Sequence, residues 1–427
     1  MTLRSRHLFR AAGLGFLSTA LLAGTAFASG FSIYEQGAKA SGVAGAFVAT
    51  ADDASANWYN PANLVWLDGT QFQVGGNFIT AGGDTELTVL DPSFGVFQET
   101  VFEPEDSIET PVHLYYTKKV SSNVAWGVGI TTPFGLVTEW AQRPITFTAG
   151  KSELRTFVLN PNIAFRLTET FSVAVGVDYM FADVGSFSRE VPIDLDGNPL
   201  NGFEVVGFSN LSGDTTELGW NVALSYQGDS TSFGFTYRTG FDLGIDGRID
   251  YSDFGPLSPF FPSTTGTAAI ELPAQAAIGW GVQLTNSLSF EVDVAYSEWS
   301  SFDRIAVDLD NETVFSRDFD VVENWDDTFS YRLGLIWKTS PQNEWRFGAV
   351  LDESPVPEDH LRPSIPDAER KGLTVGFGHK GDKMNLDLYY MPLWFDDITA
   401  VPGVEGVVAG TYETFVQLAG VSVNWRF

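Results

Sequence analysis

The sequence predicts an all-β protein, a transmembrane antiparallel β-barrel of about fourteen strands with an N-terminal plug in its lumen. Three observations predict it. Apolar and polar side chains alternate with period two over stretches of about ten residues. The links between those stretches are by turns short and long. After the first 28 residues no run of about 18 apolar residues occurs, the length a spanning helix needs, although 44% of the chain is hydrophobic and it holds 43 Gly and 35 Phe.

The alternation is plainest in four places. Leu218, Trp220, Val222, Leu224 and Tyr226 share one strand face, opposite Glu217, Gly219, Asn221, Ala223, Ser225 and Gln227, because successive side chains of a strand point to opposite sides. Leu288, Phe290, Val292, Val294 and Tyr296 repeat the pattern opposite Ser289, Glu291, Asp293, Ala295 and Ser297. Phe171, Val173, Val175, Val177 and Tyr179 do so opposite Ser172, Ala174, Gly176 and Asp178. The chain ends on Val421, Val423, Trp425 and Phe427 against Ser422, Asn424 and Arg426.

A soluble sandwich could use any one of these strands, so the links decide. Strands read at 70–80, 111–119, 124–132, 153–167, 171–182, 216–227 and 232–243, then at 272–284, 288–300, 328–339, 345–352, 371–380, 384–393 and 413–427. Tight links fall at 120–123, 168–170, 228–231, 285–287, 340–344 and 381–383. Long ones alternate with them at 81–110, 133–152, 183–215, 244–271, 301–327, 353–370 and 394–412. Short turns on one side, long loops on the other and an even strand count are the pattern of an outer-membrane barrel. Twelve or sixteen strands fit the same pattern, because strand ends slip by a few residues. Lipid cannot satisfy an open sheet edge, so the sheet must close.

Three regions follow. Residues 1–28 carry Arg4, Arg6 and Arg10, then an apolar stretch, then Ala26-Phe27-Ala28. That order is a secretory signal cleaved after Ala28 for export through the periplasm, with an uncleaved anchor as the alternative. Residues 29–69 are rich in Ala, Gly and Ser and lack strand alternation, yet hold Phe31, Ile33, Tyr34, Phe47, Trp58, Tyr59 and Trp66. So many apolar anchors suit a plug packed in the lumen better than a disordered periplasmic extension. Residues 70–427 form the barrel.

The chain has 54 Asp and Glu against 24 Lys and Arg, a net charge of −30, and loss of the signal would remove three of the basic residues and none of the acidic ones. Such acidity argues against nucleic acid or anionic lipid as a partner. The absence of Cys excludes disulfides and thiolate metal sites. No phosphate-cradling loop is present, and no cofactor is expected.

Three stretches carry a family resemblance. The first is Gly30-Phe31, Ala51-Asp52-Asp53-Ala54 and Asn60-Pro61-Ala62; the second is Phe134-Gly135-Leu136-Val137-Thr138-Glu139-Trp140. The third is Leu351-Asp352-Glu353-Ser354-Pro355-Val356-Pro357 with Ser364-Ile365-Pro366-Asp367 and Arg370. In order and spacing these resemble the FadL family of long-chain fatty-acid outer-membrane transporters. The resemblance implies a monomeric fourteen-stranded barrel with an N-terminal hatch. It implies uptake of fatty acids or, in some branches, aromatic hydrocarbons, by diffusion through an apolar interior and sideways exit near the hatch.

Candidate site residues follow from both sources. Asn60-Pro61-Ala62, with Asp52 and Asp53, is the expected plug and gating element: Pro61 holds Asn60 extended, and the Asn60 amide can bridge nearby backbone. An ordinary Asn-Pro turn is the alternative. Strand parity turns Asp352 and Arg370 inward at the loop ends of neighbouring strands, as a pair that anchors the plug, meets a carboxylate ligand or simply holds the rim. A carboxylate head group would want a cation, and Lys151, Arg155 and Arg143 are candidates. The loop residues Phe254, Leu257, Phe260 and Phe261 would capture an apolar ligand or pack on the barrel mouth. Asp194, Asp196, Asp308 and Asp310 lie in acid-rich stretches without full calcium-loop spacing. Solvated outer loops, bridged to lipopolysaccharide by divalent ions, are the expectation there.

Two other functions compete. A barrel lipase needs Ser-His geometry, and after the signal only His113, His360 and His379 are available, so no enzyme is expected. A general porin needs an open polar lumen, which a plug of this length denies.

Overall fold

The computed structural model describes residues 30–91, 96–196, 203–313, 316–401 and 406–427. The expected secretory signal, residues 1–28, lies outside them. No helix among the described residues is long and apolar enough to cross a membrane. The strands are what remain to cross it.

Fourteen antiparallel strands close into one barrel, as the links predict. They are β1 (Thr70–Gly82), β2 (Val112–Lys119), β3 (Val124–Thr131), β4 (Lys151–Arg166), β5 (Phe171–Ile193), β6 (Val205–Gln227) and β7 (Thr231–Arg238). Then come β8 (Gln275–Thr285), β9 (Leu288–Ser297), β10 (Thr328–Lys338), β11 (Asn343–Asp352), β12 (Arg370–Lys380), β13 (Met384–Phe395) and β14 (Phe415–Arg426). Each pairs with the next, and β1 pairs with β14 from Gln71–Arg426 to Gly82–Phe415, which removes both edges.

The parity expected from the sequence holds. Val175, Val177, Leu218, Trp220, Trp345, Phe347, Leu351 and Leu373 point outward and are exposed on the isolated chain, where lipid would cover them. Ser225, Asn221, Asp178, Glu291, Asp293 and Asp352 point inward and are buried.

The long links are more regular than expected. β5 and β6 run 23 residues each instead of ending near 182 and beginning near 216. The excess forms a sheet beyond the barrel rim: Phe241–Ser252 pairs with the outer part of β6 and with Thr264–Leu272, which pairs in turn with Arg304–Leu309. A strand read at 232–243 is therefore two, β7 and Phe241–Ser252, broken at Thr239-Gly240. A second small sheet joins Thr85–Asp91, Val96–Phe102, Ile398–Ala400 and Gly410–Tyr412. Alternation alone does not tell a membrane strand from its continuation into water.

Residues 30–67 pack inside the barrel, nearly all of them buried, with short helices at Ala38–Ser41 and Ala56–Tyr59 and a 3-10 turn at Pro61–Trp66. Inward glycines admit this backbone. A Cβ at Gly234 would lie 2.2 Å from the Val48 carbonyl oxygen, and one at Gly348 would lie 2.4 Å from the Val43 carbonyl carbon. Any larger residue at either position would push the segment off the wall.

Candidate functional site

Polar side chains of the wall moor the internal segment. Asp293 accepts the Phe47 and Val48 amides at 2.8 and 2.9 Å, and Glu291 accepts the Ala49 amide at 2.6 Å and the Thr50 hydroxyl. On the next strand Arg332 donates to the Ala44 carbonyl at 2.9 Å and lies 3.9 Å over the Tyr34 ring. Both carboxyl groups and the guanidinium are buried, so these hydrogen bonds stand in for the water the groups have lost. No motif in the sequence marks these three residues. Their signal was charge on the inward parity of β9 and β10.

Asn60 is extended and fully buried; its side chain accepts the Ala62 amide at 3.1 Å and donates to the Val48 and Leu224 carbonyls at 2.8 and 3.1 Å. One amide thus caps the turn that Pro61 begins and ties the segment to β6. Asp53 accepts the Ser55 amide and hydroxyl at 2.9 and 2.5 Å. Asp52 is more exposed and pairs with Lys39 at 2.7 Å.

Below the segment, on the short-turn side, lies a cavity of about 400 Å³ lined by Lys39, Glu344, Arg346, Asp387 and Arg426. Arg346 bonds Glu344 and Asp387, each at 2.6 Å. That floor is rich in paired charges.

The wall is interrupted beside the segment. Pairing of β2 with β3 stops at Leu114–Ile130. Beyond it residues 132–135 turn inward and bond the internal segment instead: Ile33 donates to Pro133 at 2.7 Å, Gly135 donates to Phe31 at 3.1 Å, and Gln36 exchanges bonds with Thr132. Pairing with β4 resumes at Gly135–Arg155. Between the outer end of β2 and this inward turn opens a cavity of about 620 Å³, whose lining includes Ile108, Val112, Leu136, Leu154 and Ile365.

An apolar interior adjoins it. Phe31 is caged edge-on by Trp299, Trp325, Phe302 and Phe134, with centroids 4.8–6.2 Å away. The cluster continues through Leu243, Ile270, Val307, Leu361 and Ile365 toward the outer side. Phe31, Phe134, Leu154, Ile365 and Tyr412 belong to both cluster and cavity. The three stretches singled out in the sequence meet here. Gly30 donates to Asp367 at 2.9 Å, the Trp140 indole donates to the Pro363 carbonyl at 2.9 Å, and the Thr138 hydroxyl donates to the Ser364 carbonyl at 2.9 Å.

Asp352 and Arg370 face each other in register and bond at 3.1 Å. Asp352 also receives Arg332 at 3.1 Å, so the pair is one arm of a triad that reaches the internal segment through Ala44. Arg155 lines the cavity and is held by Glu153 at 3.1 Å and Glu109 at 3.9 Å. Lys151 is held by Glu153 at 2.7 Å, outside that lining, and Arg143 by Glu190 at 2.7 Å.

The structure does not bring Phe254, Leu257, Phe260 or Phe261 to the cavity. Phe254 and Phe261 stack on each other at 3.9 Å and are buried in the outer sheet, whereas Leu257 is half-buried and Phe260 exposed on the turn Gly255–Phe260. His113 bonds the Ser422 hydroxyl at 2.8 Å, and that hydroxyl accepts the Ala38 amide at 2.9 Å, which makes the couple part of the mooring. Asp194, Asp196 and Glu204 gather on the outer hairpin with carboxylate oxygens within 4.8 Å of one another; Gly197 and Asn198 of that stretch lie outside the described residues.

A closed barrel, greasy outside, with an N-terminal segment inside and an apolar cavity let into its wall, is the build of an outer-membrane transport protein. The chain belongs to the outer membrane protein transport protein family (OMPP1/FadL/TodX), whose model matches residues 19–427. Among its relatives is the long-chain fatty acid transport protein of Escherichia coli O6:H1, 25% identical over 96% of this chain and 97% of that protein. Outer membrane protein P1 of Haemophilus influenzae is 24% identical over 96% of this chain and 98% of its own. The fold is that of a FadL homologue from Pseudomonas aeruginosa, at a TM-score of 0.84 and 18% identity over 93% of this chain and all of that one. The toluene transporter TodX of P. putida follows at a TM-score of 0.67 and 16% identity, over 94% of this chain and 99% of that one.

Proposed function

We propose that the chain takes up hydrophobic small molecules across the bacterial outer membrane by passive diffusion, with exit through the barrel wall. One observation carries this reading: the apolar cluster opens sideways through the 620 Å³ cavity, while the way straight down ends on a charged floor. An apolar solute loses transfer free energy of about 25 cal/mol per Å² wherever it leaves apolar contact for water. The lateral route keeps that contact as far as the lipid; the axial route does not.

In this reading residues 29–69 act as a plug, with Asn60-Pro61-Ala62 and the Asp52–Asp53 pair as its gating element. The Arg332–Asp352–Arg370 triad links that plug to the outer loop. Leu257 and Phe260 at the loop tip serve first capture, and the acidic outer loops sit among lipopolysaccharide. The mature protein is a monomer, exported after cleavage behind Ala28, and performs no chemistry on its cargo.

The test is uptake of a labelled apolar solute into proteoliposomes. Wild type should load faster than vesicles carrying a water-filled porin, and Leu136→Trp, which fills the cavity, should slow loading about tenfold. Equal loading by wild type and the porin would sink the reading.

A further inference from the structure

We infer that the wall cavity selects uncharged amphiphiles with a hydroxyl head, such as alkanols and phenols, and turns away free carboxylates. This rests on the cavity being the ligand's route. Six acidic residues line it, Glu35, Glu105, Glu109, Glu139, Asp367 and Glu413, against two basic ones, Arg155 and Arg370.

Each guanidinium group already has a carboxylate beside it. Arg155 is held between Glu153 and Glu109, and Arg370 bonds Asp352 while Glu35 and Asp367 stand within its field. A carboxylate ligand would therefore share each cation with a carboxylate of the protein already beside it, and its own charge would add to theirs. Elsewhere along the lining no further basic residue offsets the acids.

A hydroxyl meets the opposite circumstances. It can donate to Glu35 or to Asp367, whose Oδ2 already accepts the Gly30 amide, and a carboxylate oxygen has capacity for further donors. The chain beyond the hydroxyl then lies against Phe31, Phe134, Leu136, Leu154 and Ile365. An ammonium would be drawn by the same acids, but it would have to shed its water against those apolar walls. The polar end of the cavity thus suits a neutral donor, and its apolar side sets no narrower demand than length.

The measurement is calorimetric titration of the full chain, in a maltoside detergent at pH 8, with 1-octanol and with octanoate. These ligands share a tail and differ in the head. Octanol should bind at least about tenfold tighter, a gap of about 1.4 kcal/mol, and Glu35→Gln with Asp367→Asn should close most of it by improving octanoate. Wild type supplies a second readout that needs no variant. Raising salt from about 0.05 to 0.5 M screens the acids, so octanoate should gain several-fold and octanol should not change. Octanoate binding as tightly as octanol would overturn the selectivity and leave the route standing. Binding of neither would overturn the route and the selectivity together.

Discussion

The Gly30 amide donates to Asp367 Oδ2 at 2.9 Å, joining two residues 337 positions apart and fastening the start of the internal segment to the outer loop before β12. Burial pushes that carboxyl up to about 7, against the pull of Arg370.

This sets a pH dependence. An acid whose folded pKa lies above its unfolded value of about 3.9 contributes stability that is complete below that value and is lost as pH rises toward about 7. Glu323, also pushed up to about 7 by burial while Arg362 pulls the other way, acts in the same sense. Thermal midpoints in detergent should fall between pH 4 and 7 more steeply for wild type than for Asp367→Asn. Parallel curves for the two proteins would contradict the assignment.

Asn60→Ala removes three hydrogen bonds from a fully buried site and leaves the Val48 and Leu224 carbonyls without that donor. The expected cost is about 2–4 kcal/mol, confined to the internal segment. Limited proteolysis should cut near residues 48–62 in the variant while the barrel stays intact. Unchanged digestion would show that this amide does not hold the segment.

Gly348→Val places a branched side chain where a Cβ alone would lie 2.4 Å from the Val43 carbonyl carbon. The segment, not the wall, should give way, because the wall is paired on both sides of β11. Single-channel recording in planar bilayers should show ion conductance well above wild type. A silent variant that is correctly folded would count against that order of yielding.

Pro161 has no N–H for the ladder, and pairing of β4 with β5 skips from Leu159–Tyr179 to Asn162–Gly176. The Asn160 side chain fills the gap by donating to the Val177 carbonyl at 3.0 Å, and the Asn57 amide donates to the Asn160 carbonyl at 2.9 Å. Asn160→Ala should cost about 1–2 kcal/mol in denaturant midpoint, and Asn160→Ala with Pro161→Val should recover most of it by restoring the missing donor. No recovery would place the cost elsewhere.

Much of the barrel was legible because a membrane wall obeys two strict periodicities, one in side-chain parity and one in loop length. Glu291, Asp293 and Asp352 could be turned inward from parity alone. The Asp352–Arg370 pair could be read as well, but what Glu291 and Asp293 touch could not, since their partners are backbone amides of Phe47, Val48 and Ala49 some 240 residues away, and an amide leaves no mark in a sequence. The wall opening was illegible for a related reason. The backbone of residues 132–135 stays hydrogen-bonded, and only the partners change, from β2 to the internal segment and to the side chains of Gln36 and Thr156. The loop residues Phe254 and Phe261 misled because an aromatic in a long link reads as exposed, whereas here the link continues as sheet and the pair fills its core.

The seam between β1 and β14 is where chain ends and contents meet. Ala38 donates to Ser422 on β14, and Asn77 on β1 donates to the Glu35 carbonyl at 2.6 Å. The seam that closes the cylinder is thus also a fastening for its contents: the two strands that meet there each hold one end of the stretch Glu35–Ala38.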